Sequence, residues 1–274
     1  MTAKHIIFIL FLGFFLMNCK KSKRGCLDPE ATNFDVSVDE SCAASESATC
    51  RCEYSKLVLR LTHALGDTIL GAEPKNINKQ AFMLRSVAYF VSNIAMVSVQ
   101  NKLNYISDTI RMNVKRSNSD SFNLTFRNDV QLVGKSANTL TIGTLRSSES
   151  FKSLRITVGL NDTLSRINFR RLGTNNPFSV DTLYRKTTFD RATTRFVIWN
   201  KKTNKNITYD LDKTITFDMP FPNTYVPKIG YDFSGINIIV NYAKWFEGID
   251  FTTDTDAAIR AKMLANTAKA FLLK

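Results

Sequence analysis

The residues with the most reactive side chains are unevenly placed. Five cysteines, Cys19, Cys26, Cys42, Cys50 and Cys52, fall in the first fifth of the chain, and none follows through Lys274. Leu16-Met17-Asn18-Cys19 resembles a bacterial lipobox, with Leu16 at −3 and Cys19 at the cleavage point. Cys19 is therefore expected to be the lipidated first residue of the mature chain, held to a membrane by acyl chains that contribute roughly 0.8 kcal/mol per buried CH₂. Cys26, Cys42, Cys50 and Cys52 form an even, clustered set, which in an exported chain points to two disulfides. Pairing Cys50 with Cys52 would be strained, so each is expected to join Cys26 or Cys42; the competing chemistry is a thiolate metal site built on Cys50-x-Cys52. Between them, Asp28, Asn33, Asp35 and Asp39 supply oxygen ligands of the kind Ca²⁺ prefers, with a disulfide-closed loop of Asx turns as the alternative.

His63 is the sole histidine beyond residue 18. A lone imidazole is a weak copper ligand and would need Met83, Met96, Asp67 or a carbonyl as partner. His63 is assigned to the polar phase of its strand, and the methionines follow the apolar pattern and suit core filling. Ser92-Asn93 is expected to hold a bulge or turn against a neighbouring strand, Trp245-Phe246 to close a core, and Tyr89-Phe90 to place one ring in and one out. Asp210, Asp212 and Asp218 read as a solvated face. The chain has no glycine-rich phosphate loop, no G-x-S-x-G and no HExxH, and one histidine cannot build a triad; the expectation is that it is not an enzyme.

The elements that must position these residues divide the chain at 18 and 53. Residues 6–17 are apolar except for Gly13, too short for a bilayer span of about 20 residues but suited to a secretory signal, so 1–18 is expected to be removed. The chain carries 37 Lys+Arg and 24 Asp+Glu, a net +13; loss of Lys4 with the signal leaves 36 against 24, or +12. Lys20, Lys21, Lys23 and Arg24 sit beside the anchor, where anionic headgroups would be met. Arg170-Arg171 and Lys201-Lys202 are short and lack interleaved aromatics, so no nucleic-acid partner is expected. Residues 19–53 form a cysteine-rich neck, with 43–49 as a small polar linker, and 54–274 the main domain.

In that domain, period-two or β-branched-rich stretches cover 56–63, 87–99, 104–114, 121–126, 139–142, 153–159, 193–199, 208–217 and 234–242, separated by turn-forming clusters. The expected fold class is all-β, an antiparallel β-sandwich. Ile259, Met263, Leu264, Thr267, Phe271 and Leu272 share one helical face, with Thr253 and Asp256 as a capping box, predicting a C-terminal helix against the sheet.

Two resemblances follow from these residues. Gly25-Cys26-Leu27-Asp28-Pro29-Glu30-Ala31-Thr32-Asn33-Phe34, continued by Asp39-Glu40-Ser41-Cys42, resembles a short module of secreted bacterial proteins, G-C-x-D-P-x-A-x-N-Y followed by an acidic pair and S-C. From Tyr54 to Lys274, four blocks are similar to segments of the MbnP-like family: Leu59-x-Leu61-x-His63-x-Leu65-Gly66-Asp67; Phe82-x-Leu84-Arg85-x-Val87-Ala88-Tyr89-Phe90-Val91-Ser92-Asn93-Ile94; Leu154-x-Ile156-x-Val158-Gly159-Leu160; and Val240-x-x-Ala243-Lys244-Trp245-Phe246-x-Gly248. The resemblance implies an exported, non-catalytic β-sandwich with copper bound in part through His63, and in some members a partner di-haem enzyme that oxidises a tryptophan. The chain departs from it where Asn161-Asp162-Thr163 lacks the family's Asn-His, and where Asp181-Thr182-Leu183-Tyr184-Arg185 replaces a tryptophan-rich stretch. Together with the lipobox, the expected location is the cell envelope, as an outer-membrane lipoprotein.

Overall fold

The computed structural model describes residues 22–42, 50–69, 82–115, 120–167, 172, 176–179, 183–185, 190–227 and 231–274. The expected signal segment, Cys19 and the 43–49 linker lie outside the described residues. The chain separates into two compact units, one ending at Glu53 and one beginning at Tyr54.

The first unit is loop-rich. Arg24–Gly25 pairs in parallel with Glu40–Ser41, and disulfides join Cys26 to Cys52 and Cys42 to Cys50. So small a segment buries too little apolar surface to hold its shape alone, and cross-links supply what a core would.

The second unit is a β-sandwich. Its strands are β1 (Lys56–Leu65), β2 (Phe82–Ser98), β3 (Leu103–Tyr105), β4 (Thr109–Lys115), β5 (Ser121–Arg127), β6 (Gln131–Gly134), β7 (Thr139–Thr144), β8 (Phe151–Val158), β9 (Thr194–Asn200), β10 (Lys205–Leu211), β11 (Ile215–Tyr225), β12 (Phe233–Asn241) and β13 (Phe271–Leu273). One sheet runs β7-β1-β12-β13, with Thr68–Ile69 also on β1. The other is built around β2, to which β3, β6, β8 and β9 all pair, with β10 on β9 and β11 on β8. The pairing is antiparallel throughout the sandwich except between β1 and β12. Leu57, Leu59 and Leu61 of β1 meet Tyr89, Leu154 and Ile156 of the other sheet in one continuous core.

The 17-residue β2 explains the architecture. Its core-facing residues are Phe82 and Leu84, then Val87, Tyr89 and Val91, then Ile94 and Met96. The phase of two slips twice. Against β9 the register jumps from Ser86 to Leu84, leaving Arg85 extra, and against β8 it jumps from Ser92 to Ala95. These are β-bulges, which insert a residue and restore the inward face of a twisting strand. At the second, Asn93 takes φ +51°, a backbone conformation that asparagine tolerates better than most residues. The bulge expected at Ser92-Asn93 is present.

The opposite face of β2 is also buried. Ala88 and Phe90 join Met112 and Val114 of β4 and Phe178 in a second apolar cluster. Phe90 is therefore not an outward ring, as its alternation with Tyr89 implies, but the centre of another layer. Phe90 also marks a junction. Its N–H donates to Thr193 O and its carbonyl accepts from Gly159 N. Since N–H and C=O of one extended residue point the same way, β9 and β8 follow one another along a single side of β2.

Other strand expectations change. The 104–114 stretch divides into β3 and β4 because Ile106 turns into the core and Ser107 N bonds Thr144 O. The 208–217 stretch divides at residues 212–214, where the Thr193 hydroxyl bonds the carbonyls of Leu211 and Lys213. Tyr242 begins a short helix, α1 (Tyr242–Trp245), capped by Asn241, which accepts from Ala243 N. The C-terminal helix α2 (Asp256–Asn266) is capped by Thr255 rather than Thr253: Thr255 accepts from Ala258 N, while Asp254 pairs with Lys262 at 2.7 Å. Ile259 and Met263 face the core as expected, but Phe271 and Leu272 leave the helical face and form β13 on β12, Leu272 standing 62% exposed.

Gly159 has φ +115°, and a Cβ there would lie 3.0 Å from Thr193 Cβ and 3.1 Å from Thr214 Cγ2. Gly159→Ala is expected to destabilise by about 2–5 kcal/mol, combining backbone strain with overpacking. Gly66→Ala meets nothing within 4 Å at φ +67° and is expected to cost roughly 1 kcal/mol. Urea unfolding of both variants checks the difference.

Candidate functional site

His63 lies in the core rather than on an exposed phase: β1 turns Leu57, Leu59, Leu61, His63 and Leu65 to the same side, and His63 is 4% exposed. Nε2 lies 2.7 Å from Ala137 O and Nδ1 lies 2.9 Å from the Tyr242 hydroxyl. A carbonyl only accepts, so Nε2 carries the proton and Nδ1 accepts from Tyr242. Burial holds the imidazole below its ordinary value of 6.5, partly offset by the bond to Ala137, and the same burial raises the Tyr242 hydroxyl. Both ring nitrogens are thus committed within the protein. The Tyr242 ring lies parallel to that of His63, 5.9 Å away, and stacks on Trp245.

Met96 is buried in the main core, as its pattern implies, while Met83 is buried on the other face of β2 from Phe82 and Leu84. Among the described residues no group of three or more His, Cys, Asp and Glu side chains could hold a metal ion. The four thiols that a soft ion would need are consumed in disulfides. As folded, His63 spends its two ring nitrogens on Ala137 O and the Tyr242 hydroxyl.

The oxygen groups of the neck are engaged with protein partners, Asp28 and Asp35 in local turns and Asn33 and Asp39 across the loop. Asp28 Oδ1 accepts from Glu30 N at 3.0 Å, and Asn33 bonds Arg51 O and Glu53 N. Asp39 accepts from Lys23 N at 3.0 Å. The Lys23 ammonium and the Ser37 hydroxyl and N–H hold the Asp35 carboxyl well below the usual carboxylate range. Asp35 pairs with Lys23 at 2.7 Å, with its side chain partly exposed. In the main domain, Asp210 and Asp218 make two-pronged pairs with Arg195 and Arg155 on neighbouring strands, not with the nearby lysines.

Trp245 is fully buried, edge-on to Phe196 at 4.9 Å and Tyr89 at 5.5 Å, in the core-closing role its sequence position suggests. Its indole N–H has no partner among the described residues. Trp199 sits at the β9–β10 hairpin, donating to Asn204 Oδ1 at 3.1 Å.

A concave site among the described residues lies elsewhere, beside the Asn93 bulge. A cavity of about 460 Å³ is lined there by Ser92, Asn93, Arg127, Asp129, Thr157 and Thr216, with Phe126 and Leu164 as apolar walls. The bulge takes Ile94 N out of the ladder, and Asp129 Oδ2 accepts it at 3.1 Å. Asp129 is 4% exposed; burial raises its pKa against the opposing effects of Arg127 and the Ile94 N–H. Arg127 reaches Asp129 at 3.6 Å and Asn93 Oδ1 at 3.3 Å, and its guanidinium lies 3.7 Å above the Tyr105 ring, a cation–π contact that fixes its plane. Ser92 donates to Gly159 O at 2.8 Å, and the Thr157 and Thr216 hydroxyls meet at 2.7 Å. The Ser92-Asn93 pair pointed to this place, but as a bulge; Arg127 and Asp129 carried no signal, because only the fold brings 127–129 under 92–94.

No family model and no curated protein matches the chain. Among solved structures it is similar to MbnP from Methylosinus trichosporium, at 10% identity and a TM-score of 0.49, over 76% of this chain and 87% of that one. No residue correspondence follows at that identity, and the site stands on its own geometry.

The depressed pKa of His63 fixes the sign of a stability change. The unfolded chain takes up the proton near pH 6.5 and the folded chain only below it, so His63 destabilises the fold as pH falls through 6.5. The stability difference between wild type and His63→Gln is expected to narrow as pH is lowered from 7.5 to 5. Urea unfolding at stepped pH measures it, and a difference independent of pH would show the imidazole to be freely protonated.

Proposed function

We propose that this chain is a non-catalytic recognition protein of the cell envelope, anchored through lipid on Cys19 and binding its ligand in the cavity beside Asn93. The observation that carries the reading is the cavity itself. It combines a nearly sealed carboxylate, a guanidinium fixed on a ring and an amide on a bulge, the few convergent polar groups that mark a preformed small-molecule site. The lipobox and cysteine-rich neck support display from a membrane: the mature chain would begin at Cys19, a few residues before the Lys23–Asp35 pair. Nothing in the cavity pairs a nucleophile with a base. Copper at His63 would first have to displace Ala137 O or the Tyr242 hydroxyl from the ring.

Two measurements test this. Labelling cells with a fatty-acid analogue is expected to mark the protein and to fail for Cys19→Ser; labelling that persists removes the anchor. Titration of the disulfide-intact protein with Cu(I) and Cu(II), followed by dialysis, is expected to leave no stoichiometric copper. Retained copper that disappears in His63→Ala would replace the recognition reading with a metal-handling one.

A further inference from the structure

Resting on the reading above, we propose that the ligand of the Asn93 cavity is a neutral saccharide unit, a ring bearing adjacent hydroxyls. Charge balance is the first argument. Arg127 and Asp129 face the cavity as a pair 3.6 Å apart, so an anionic ligand gains one partner and meets a like charge, and a cationic ligand does the reverse. A neutral ligand suffers neither.

The second argument is the hydrogen-bond inventory. Three planar, two-pronged groups converge: the guanidinium of Arg127, the carboxylate of Asp129 and the amide of Asn93. Such groups match vicinal diols, which can present two oxygens as acceptors to a guanidinium, two O–H donors to a carboxylate, or one of each to an amide. The Asn93 oxygen is taken by Arg127, and among the described residues its amide nitrogen has no partner. Around them stand hydroxyls: Ser92 spends its proton on Gly159 O, and Thr157 and Thr216 share one hydrogen bond. Each keeps lone pairs that these bonds do not use. An apolar ligand would leave the whole set without partners, and a purely acceptor one would leave the hydroxyl and carboxylate lone pairs without donors, at a cost of about 1–3 kcal/mol per buried group.

The third argument is the wall. Phe126 and Leu164 line the cavity, and an aromatic ring offers a face to the C–H side of a sugar whose hydroxyls point the other way. The volume, about 460 Å³, lies in the range of roughly 300–1,000 Å³ that small-molecule sites occupy. The site is also preformed. Asn93 is held at φ +51° by the bulge, and Arg127 is pinned between Tyr105, Asn93 and Asp129, so little side-chain ordering remains to oppose binding.

The test uses the full exported protein with saturation-transfer NMR and calorimetry. The probes are D-glucose, D-galactose, D-mannose and N-acetyl-D-glucosamine, with inorganic phosphate and glycine as charged controls. At least one neutral sugar is expected to bind saturably in the millimolar range. Asn93→Gly, which keeps the positive φ and removes the amide, and Arg127→Met are each expected to weaken it at least tenfold while urea unfolding shows both variants folded. Absence of saturable binding to every sugar overturns the proposal, as does sugar binding that neither variant changes. Phosphate or glycine bound in an Arg127-dependent way would overturn the saccharide and leave the cavity as the binding site; if no probe binds, the saccharide proposal and the recognition reading both fall.

Discussion

The structure depends on keeping one face of a very long strand inside a core. β2 runs from Phe82 to Ser98 and is covered on both sides, by the main core and by the layer around Phe90. A twisting strand of that length drifts out of phase with a fixed core, and the two bulges correct it. The correction at Asn93 has consequences beyond packing. It requires a positive φ, frees the Ile94 N–H and draws in Asp129 as its acceptor. Asp129, buried, then needs Arg127, and Arg127 needs Tyr105 and Asn93 to hold it. A device for registering a strand thus assembles a polar cavity.

The junction at Phe90 serves the same end. With β9 and β8 end to end along one side of β2, the chain must pass closely at Thr193, Gly159 and Thr214, and glycine is needed where a Cβ would collide. Thr157 and Thr216, just beyond the junction, turn hydroxyls toward the cavity. Polar residues there cost the fold little, because the opening admits water.

The His63 environment illustrates the opposite outcome. One histidine among leucines would be expensive to bury alone, and the fold lowers the cost by supplying an acceptor from Ala137 and a donor from Tyr242. The arrangement ties β1 to the start of α1 and sits against the Trp245 cluster. The two ends of the domain are already joined by the β1–β12 ladder, and this small polar contact inside an apolar core adds to it.

Much of the fold class was legible in the residues. Alternation in β1 and the turn cluster at 200–204 identify strands and a hairpin because side-chain period and turn chemistry are local properties. The four neck cysteines announced two disulfides, and the strain of joining Cys50 to Cys52 narrowed the pairing; only the folded loop selects Cys26–Cys52 and Cys42–Cys50. Strand breaks at 106–108 and 212–214, the phase of His63 and the conversion of Phe271–Leu273 from helix face to edge strand were decided by partners distant in sequence. The same is true of the cavity. Local pattern marks Ser92-Asn93 as a bulge, but the carboxylate and guanidinium that complete it lie more than thirty residues later. Their proximity is a product of sheet closure, in which long-range pairing, not local preference, sets which side chains share a space.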